Sequence, residues 1–238
     1  MASPRLDDVV NEWLSCDRAL VVAAAGCGKT ELLARTVAHP RAGRQLILTH
    51  THAGVAALKA RLQRYHVDTS RFRLDTIAGW SLTYAAAVPS ISRVFEVTES
   101  APDWDTIYPG AGRVVLSGMG KRVVAASYDG VLVDEYQDCS AAQHEVIAGL
   151  ASVVPVRVVG DPLQAIFGFR REDPLVDWNV VRSFFEPLSE LTEPFRWKTG
   201  NRTLGEWLAE ARGELLATGR LTIDRAAPVE WAEWSTDL

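Results

Sequence analysis

A lysine and a threonine close a loop of small residues that ends in Gly28-Lys29-Thr30, directly after an apolar run. Loops of the pattern G-x-x-x-x-G-K-[ST] hold phosphates with backbone N–H groups and the lysine, and Mg²⁺ with the hydroxyl. Ala23 replaces the first glycine of that pattern, whereas Gly26 is retained within the loop. Helix-forming residues follow the threonine, as this kind of loop requires. The spacing therefore predicts a phosphate-binding loop, and a Gly-rich turn between core elements is the alternative.

Two adjacent carboxylates, Asp134 and Glu135, follow the apolar run Gly130–Val133. An apolar strand that ends in carboxylates suits nucleotide hydrolysis, because open α/β sheets bind ligands at the carboxyl edge of their strands. The chemistry predicts that Asp134 holds Mg²⁺ through water, while Glu135 orients or deprotonates the attacking water. An ordinary acidic strand end is the alternative for this pair taken alone.

Gln164 comes shortly after a third apolar run, residues 156–159. Its amide can both donate and accept hydrogen bonds, so it could sense a γ-phosphate or the attacking water. Just beyond it, Phe167, Phe169 and Arg170 combine aromatic faces with a cation, as segments that bind nucleic acid do. Core aromatics beside a solvated basic turn are the alternative.

Short apolar runs alternate with segments of helical period, which predicts an α/β fold with a parallel sheet. The runs are residues 19–23, Gln45–Thr49, Gly130–Val133 and 156–159. Residues 89–108 lose this periodicity, which predicts a surface insertion, and a helix-like stretch follows at 114–126. Further along, residues 188–191 could form a strand, and an apolar stripe over 204–215 predicts a helix.

Composition narrows the class of protein. The 238 residues are enough for a sizeable core. No apolar stretch approaches the roughly 20 residues that span a membrane, and the first residues lack a signal-peptide core, so we expect a cytoplasmic protein with no membrane partner. Three cysteines without a C-x-x-C pair favour neither disulfides nor zinc. The net charge of −5 argues against a wholly basic surface but leaves room for a local groove.

Six ordered segments together resemble the motifs of the UvrD/Rep-like superfamily 1A DNA helicases. They are residues 25–30, 48–61, 76–80, 133–138, 159–170 and 195–196. The fourth segment reads Val-Asp-Glu-Tyr-Gln-Asp, the form that separates this family from other P-loop ATPases. The loop form Ala-x-x-Gly-x-Gly-Lys-Thr is likewise the family's own. The resemblance covers residues 19–216 and implies a P-loop NTPase (RecA-like) parallel sheet flanked by helices, with a short insertion and a helical C-terminal extension.

The resemblance also implies roles for individual residues. ATP would be bound by Ala25, Gly26, Cys27, Gly28, Lys29, Thr30, Glu31 and Phe195. Mg²⁺ would be held by Thr30 and Asp134, and catalysis would involve Lys29, Glu135, Gln164 and Arg196. Single-stranded DNA would contact Thr51, His52, Thr76, Phe167, Phe169 and Arg170. In this scheme Phe195 stacks on adenine and Arg196 is an arginine finger, for which a surface charge on a linker is the alternative.

Domain boundaries follow from the same resemblance. Residues 1–190 would form the RecA-like ATP-binding domain, with a reduced accessory insertion at about 88–127. Residues 191–238 would begin, or lead to, a second lobe that is otherwise absent, so a second RecA-like lobe or partner subunit is expected. Two positions depart from the family: no glutamine occurs in residues 1–20, which leaves adenine specificity open, and Ala78 stands where histidine is common.

The implied function is that of the N-terminal ATPase lobe of a DNA helicase or translocase, which couples ATP hydrolysis to movement on single-stranded DNA. A nucleotide-dependent DNA- or protein-binding module without unwinding activity is the alternative. A P-loop kinase that acts on a small molecule is a third hypothesis. A kinase would have no role for Gln137, Asp138 or residues 167–170.

Overall fold

The computed structural model describes residues 5–95, 102–165, 174–198, 200–223 and 227–229. Within them one six-stranded sheet has the order β3-β2-β4-β5-β1-β6, and every pair of neighbours is parallel. The strands are β1 (Arg18–Val22), β2 (Gln45–Thr49), β3 (Phe72–Thr76), β4 (Gly130–Val133), β5 (Val156–Gly160) and β6 (Glu186–Pro187). The predicted α/β fold with a parallel sheet is confirmed.

Helices connect these strands and cover both faces of the sheet. They are α1 (Leu6–Ser15), α2 (Lys29–Ala38), α3 (His52–Arg64), α4 (Ile77–Ala87), α5 (Pro89–Ser92), α6 (Trp104–Leu116), α7 (Gly118–Ser127), α8 (Ala141–Ala151), α9 (Trp178–Phe184), α10 (Phe195–Lys198) and α11 (Arg202–Thr218). Short 3₁₀ turns occur at Pro40–Ala42, Thr69–Arg71, Tyr136–Asp138 and Pro162–Gln164. The alternation of strand and helix is what a parallel sheet needs, because each crossover must return the chain to the same edge.

Two hydrophobic cores lie on opposite faces of the sheet. Leu46 and Leu48 of β2 belong to the core that contains Trp80 of α4. Ile47, between them, belongs to the other core, with Leu33 of α2. Successive side chains of a strand point to opposite faces, so a strand covered on both faces must be apolar at nearly every position. This is why the central strands were recognisable as continuous apolar runs.

The edge strands were not predicted correctly. β3 was missed because its residues, Phe-Arg-Leu-Asp-Thr, are only partly covered and retain polar side chains. The strand expected at 188–191 is wrong: β6 comes earlier, at Glu186–Pro187, and Leu191 instead makes an isolated parallel bridge with Ala23. Edge strands have one paired side, so burial constrains their composition less.

The prediction of a surface insertion over residues 89–108 is wrong for the C-terminal part of that range. Residues from Trp104 onward form helix α6, which Asp103 caps by accepting a hydrogen bond from the Asp105 N–H at 3.2 Å. The sequence pattern did not predict this helix, because Pro109 and Gly110 within it have low helix propensity. Gly110 permits close packing, because an added Cβ would lie 2.9 Å from Val94 Cγ2. The helix is therefore stabilised by tertiary contact more than by local propensity.

The predicted single helix at 114–126 is divided in two. α6 ends at Leu116, and Ser117 begins α7 by accepting a hydrogen bond from the Gly120 N–H at 3.0 Å. A serine cap of this kind stabilises a new helix start and so favours a change of direction. Residues 96–101 lie outside the described part of the chain.

The C-terminal extension contains the helix predicted from the apolar stripe. α11 begins after Asn201, whose side chain accepts a hydrogen bond from the Leu204 N–H at 3.0 Å, and it ends at Thr218, just before Gly219. Gly205 lets α11 approach α10, since an added Cβ would lie 2.5 Å from Trp197 Cβ. The division at residue 190 stays a prediction, as does the cytoplasmic location. No helix in the described residues is long and apolar enough to cross a membrane.

Candidate functional site

The predicted phosphate loop connects β1 to α2. Its backbone has positive φ at Gly26 (76°) and Gly28 (97°), a conformation that residues with a Cβ rarely adopt. At Gly26 a side chain would also collide, because an added Cβ would lie 2.8 Å from Arg196 Cβ. Helix α2 begins at Lys29, so its first free N–H groups face the space that the loop encloses.

The alanine at the first position of the loop motif has a structural explanation. Ala23 is fully buried, its N–H donates to the Gly160 carbonyl at 3.0 Å, and it bridges to Leu191. Among the described residues other than glycine, positive φ occurs only at His66, Arg93 and Glu135. Ala23 therefore continues the strand in an ordinary conformation, and this position does not require glycine.

An open cleft of about 820 Å³ lies over the loop. Predicted residues that line it are Ala25, Gly26, Gly28, Lys29, Thr30, Glu31, Glu135, Gln164, Phe195 and Arg196. Cys27 does not line the cleft, because its side chain is buried in the core that also holds Leu32. The cleft thus brings together loop, strand-end and C-terminal residues that lie far apart in the sequence.

The Lys29 ammonium joins the loop to two other strand ends. Its Nζ lies 2.7 Å from Glu135 Oε2, after β4, and 3.4 Å from Gln164 Oε1, after β5. β1 and β4 both pair with β5, so the carboxyl ends of these three strands are adjacent. The side chain of Lys29 is buried, so it is held close to these two partners.

These three residues belong to a closed ring of hydrogen bonds. Gln164 Nε2 donates to Asp161 Oδ2 at 2.5 Å, and the Asp161 N–H donates to Gln137 Oε1 at 2.9 Å. Gln137 Nε2 then donates to Glu135 Oε2 at 3.0 Å, the same oxygen that Lys29 contacts. Asp161 and Gln137 were not predicted as site residues; their place within the motif segments 159–170 and 133–138 was the only sequence signal. The ring fixes the two side chains that flank the lysine.

A smaller cavity of about 240 Å³ beside the cleft is lined by Thr30, Asp134, Glu135 and Asp138, among others. Burial, and then the charge of Glu135, raises the pKa of Asp134 to about 7 and that of Asp138 to about 6. Asp138 Oδ1 is buried without a hydrogen-bond partner. Crowded carboxylates of this kind favour a divalent cation, which would stabilise their charged forms.

The residues at this cavity fit Mg²⁺ better than zinc. Hydroxyl and carboxylate oxygens are the ligands Mg²⁺ prefers, and it is commonly held by one or two carboxylates together with substrate phosphates. Across the described part of the chain, no cluster of three or more His, Cys, Asp or Glu side chains could hold a metal by itself. Thr30 and Asp134, the two predicted Mg²⁺ ligands, line the same cavity, and their shared role stays a prediction.

Glu135 has a strained backbone. Its φ of 50° and ψ of 49° are left-handed, although it is not a glycine, and it precedes the 3₁₀ turn Tyr136–Asp138. Such a conformation costs on the order of 1–3 kcal/mol and persists where the surroundings fix it. Here the fixed surroundings are the ring and the contact with Lys29.

Glu31 lines the cleft, but its carboxylate is already hydrogen-bonded to neighbouring side chains. Its carboxylate accepts hydrogen bonds from Arg35 at 2.9 Å, from Arg61 at 2.9 Å and from the Tyr65 hydroxyl. Burial opposes ionisation, but the bonds from Tyr65 and Arg35 outweigh it and lower the pKa of Glu31. Arg35 also pairs with Asp7 of α1 at 2.9 Å. The spacing of four between Glu31 and Arg35 was a sequence signal for this cluster.

Three of the predicted DNA contacts lie where β2 and β3 end. Thr51 caps α3 by accepting a hydrogen bond from the Gly54 N–H at 3.0 Å, and His52 beside it is exposed. Thr76 caps α4 through the Gly79 N–H at 2.9 Å but is only 6% exposed. The other three, Phe167, Phe169 and Arg170, lie outside the described residues.

Sequence comparison supports the resemblance. The family described as UvrD/REP helicase N-terminal domain matches residues 120–176, which include both Glu135 and Gln164. The chain is similar to the N-terminal lobe of UvrD/Rep-like helicases. It is 26% identical over 138 residues to the A component of the ATP-dependent helicase/nuclease of Leuconostoc mesenteroides, covering 51% of this chain and 11% of that protein. It is 37% identical over 73 residues to the protein of the same name from Lacticaseibacillus casei, covering 30% and 6%. The lobe thus spans a small part of these relatives.

Solved structures share the fold of this chain. Pif1 helicase from Candida albicans has a TM-score of 0.52 and 13% identity, covering 89% of this chain and 44% of its own. Pif1 helicase from Bacteroides, solved with ADP-AlF3 and ssDNA, has a TM-score of 0.50 and 13% identity, covering 90% and 47%. The likeness is one of backbone architecture.

Proposed function

We propose that this lobe binds ATP with Mg²⁺ and hydrolyses it within an ATP-dependent DNA helicase or translocase that moves on single-stranded DNA. The observation that carries the proposal is the convergence on Lys29, whose Nζ lies 2.7 Å from Glu135 Oε2 and 3.4 Å from Gln164 Oε1. A phosphate-binding lysine, a carboxylate base and an amide that senses the γ-phosphate are the groups that phosphoryl transfer to water requires.

The residues divide the chemistry as follows. The loop amides and Lys29 bind the β- and γ-phosphates, and Thr30 and Asp134 would hold Mg²⁺, which neutralises phosphate charge when bound. Lys29 and Glu135 neutralise one another in this structure. A triphosphate competes for the lysine, and this frees the Glu135 carboxylate to accept a proton from the attacking water.

Phe195 is the proposed nucleobase contact of the cleft. Phe195 is 45% exposed and lies over the loop, where an added Cβ at Gly28 would be 3.6 Å from its ring. The Arg196 N–H donates to the Gly26 carbonyl at 3.2 Å, so the proposed arginine finger is attached to the loop it serves. The ends of β2 and β3 carry the proposed DNA contacts. Residues 191–238 are proposed to lead towards a second lobe.

Nucleotide binding and hydrolysis of Lys29→Ala and Glu135→Gln, with and without single-stranded DNA, test this function. Lys29→Ala should weaken ATP binding about 10- to 100-fold, since a hydrogen bond to a charged group contributes about 1.5–3 kcal/mol. Glu135→Gln should retain binding while turnover falls roughly 10²- to 10⁴-fold.

Lys121→Ala, an exposed lysine on α7, is the matched control and should behave as wild type. Failure of the wild-type lobe to bind ATP, or binding that Lys29→Ala leaves unchanged, contradicts the proposal. Strand separation by the longest native protein that contains this lobe tests the helicase assignment.

A further inference from the structure

Asp161 connects helix α11 to the phosphate side of the cleft. Its carboxylate is 2% exposed, and Arg212 Nη1 of α11 lies 2.7 Å from Oδ1 and 2.9 Å from Oδ2. Gln164 Nε2 donates to the same Oδ2 at 2.5 Å. One buried carboxylate therefore orients both a guanidinium from the C-terminal extension and the amide of the proposed γ-phosphate sensor.

Arg212 determines what this carboxylate can do. The guanidinium is always charged and is 15% exposed, and its Nη2 also contacts Glu190 at 3.1 Å. The carboxylate that pairs with this guanidinium can only accept hydrogen bonds. Without the guanidinium, the buried carboxylate would lose the partner that holds it in place.

The acceptor character of Asp161 fixes which way the Gln164 amide points. Its NH₂ group must face the carboxylate, so its Oε1 faces the opposite way, where it lies 3.4 Å from Lys29 Nζ. Lys29 can only donate, so both neighbours require the same amide orientation. In this orientation Gln164 presents an acceptor to the lysine and would present it to a water beside a bound γ-phosphate.

We propose that Arg212 is a positioning residue that holds Gln164 in this orientation through Asp161 and so connects the γ-phosphate site to α11. The inference rests on the proposed function, because it assigns Gln164 to the γ-phosphate. It makes α11 an element outside the sheet that is bonded to the carboxylate supporting the sensor. The sequence separation across this contact is 51 residues, between Asp161 and Arg212.

The test compares the affinity of the lobe for AMP-PNP, a non-hydrolysable ATP analogue, with its affinity for ADP. Wild type should prefer AMP-PNP, and Arg212→Gln should reduce that preference at least fivefold while ADP affinity stays within twofold. Arg212→Lys retains the charge and should restore at least half of the preference. Arg202→Gln is the matched control on α11, because Arg202 forms an exposed pair with Glu206 and should leave the ratio unchanged.

A double-mutant cycle separates positioning from general stabilisation of the fold. If Arg212 acts through Gln164, then Arg212→Gln should have no further effect on the preference in a Gln164→Ala background. An additive effect contradicts the inference. If Arg212→Gln does not fold, as judged by thermal unfolding, Asp161→Asn takes its place and should show the same loss.

The outcomes distinguish the two proposals. A wild-type lobe that binds neither nucleotide refutes the proposed function, and the inference falls with it. A wild type that prefers AMP-PNP, with Arg212→Gln keeping that preference, refutes the inference alone.

Discussion

Replacing Asp134 with asparagine should stabilise the lobe at alkaline pH while removing its response to Mg²⁺ and nucleotide. Asp134 is 6% exposed, and burial followed by the charge of Glu135 raises its pKa to about 7 from an ordinary 3.8. Asparagine has almost the same shape and can still accept the hydrogen bond that the Glu135 N–H donates at 3.0 Å. The substitution therefore removes the buried charge and little else.

The size and direction of the effect follow from linkage. Between about pH 4 and pH 7 the folded lobe keeps a proton on Asp134 that the unfolded chain has released, so stability falls as pH rises through this window. The full difference between the two pKa values corresponds to at most about 4 kcal/mol. Asparagine does not titrate, so Asp134→Asn should exceed wild type by about 2–4 kcal/mol at pH 8 and by less than about 1 kcal/mol at pH 4.5.

Thermal unfolding as a function of pH measures this prediction. A gain of this size corresponds to roughly 4–16 °C in Tm for a domain of this length. Mg²⁺ with ATP should raise the Tm of wild type and not that of Asp134→Asn. Asp177→Asn is the control, since Asp177 is an exposed cap of α9 whose bond to the Asn179 N–H asparagine can replace. Parallel pH profiles for wild type and Asp134→Asn would refute the reasoning.

Two further substitutions test the loop and the base end of the cleft. Ala23→Gly should lower the free energy of unfolding by about 1–2 kcal/mol, because apolar burial is lost and the unfolded chain gains freedom. Its affinity for ATP should stay within twofold of wild type. A higher affinity in the binding titration would show that the loop needs glycine at this position. Phe195→Ala should weaken ATP binding about 5- to 100-fold, because base stacking on an aromatic ring contributes about 1–3 kcal/mol, while tripolyphosphate binding is retained. Equal loss for both ligands would place Phe195 in the phosphate site instead.

Much of the candidate site was predictable because its residues lie directly after recognisable strands. Lys29, Glu135 and Gln164 each follow an apolar run, and a parallel sheet places such positions at one edge. Cys27 shows the limit of this reasoning: motif spacing placed it in the loop, but only the fold shows that its side chain packs in the core. Thr76 was predicted as a DNA contact, but its near-complete burial was not visible in the sequence.

Helix α6 and strand β3 could not be predicted from the sequence, because tertiary contacts outweigh the local preferences of their residues. Helix α6 contains Pro109 and Gly110, which weaken a helix considered alone. Its buried face against α4 and α8 compensates for this, with Ala111 and Val115 fully buried. The edge strand β3 lacks a continuous apolar run because it is half-covered.

The sequence by itself determined the elements that depend on nearest neighbours along the chain: the doubly buried central strands and the glycines of the loop. Only the tertiary structure decided which distant polar groups meet. Arg212 contacts Asp161 because α11 follows β6, which pairs with β1, which in turn pairs with β5 and its terminal loop. Local periodicity indicates which face of a helix or strand is buried. The order of the strands determines which residue pairs with a buried charge, and no local sequence pattern predicts that order.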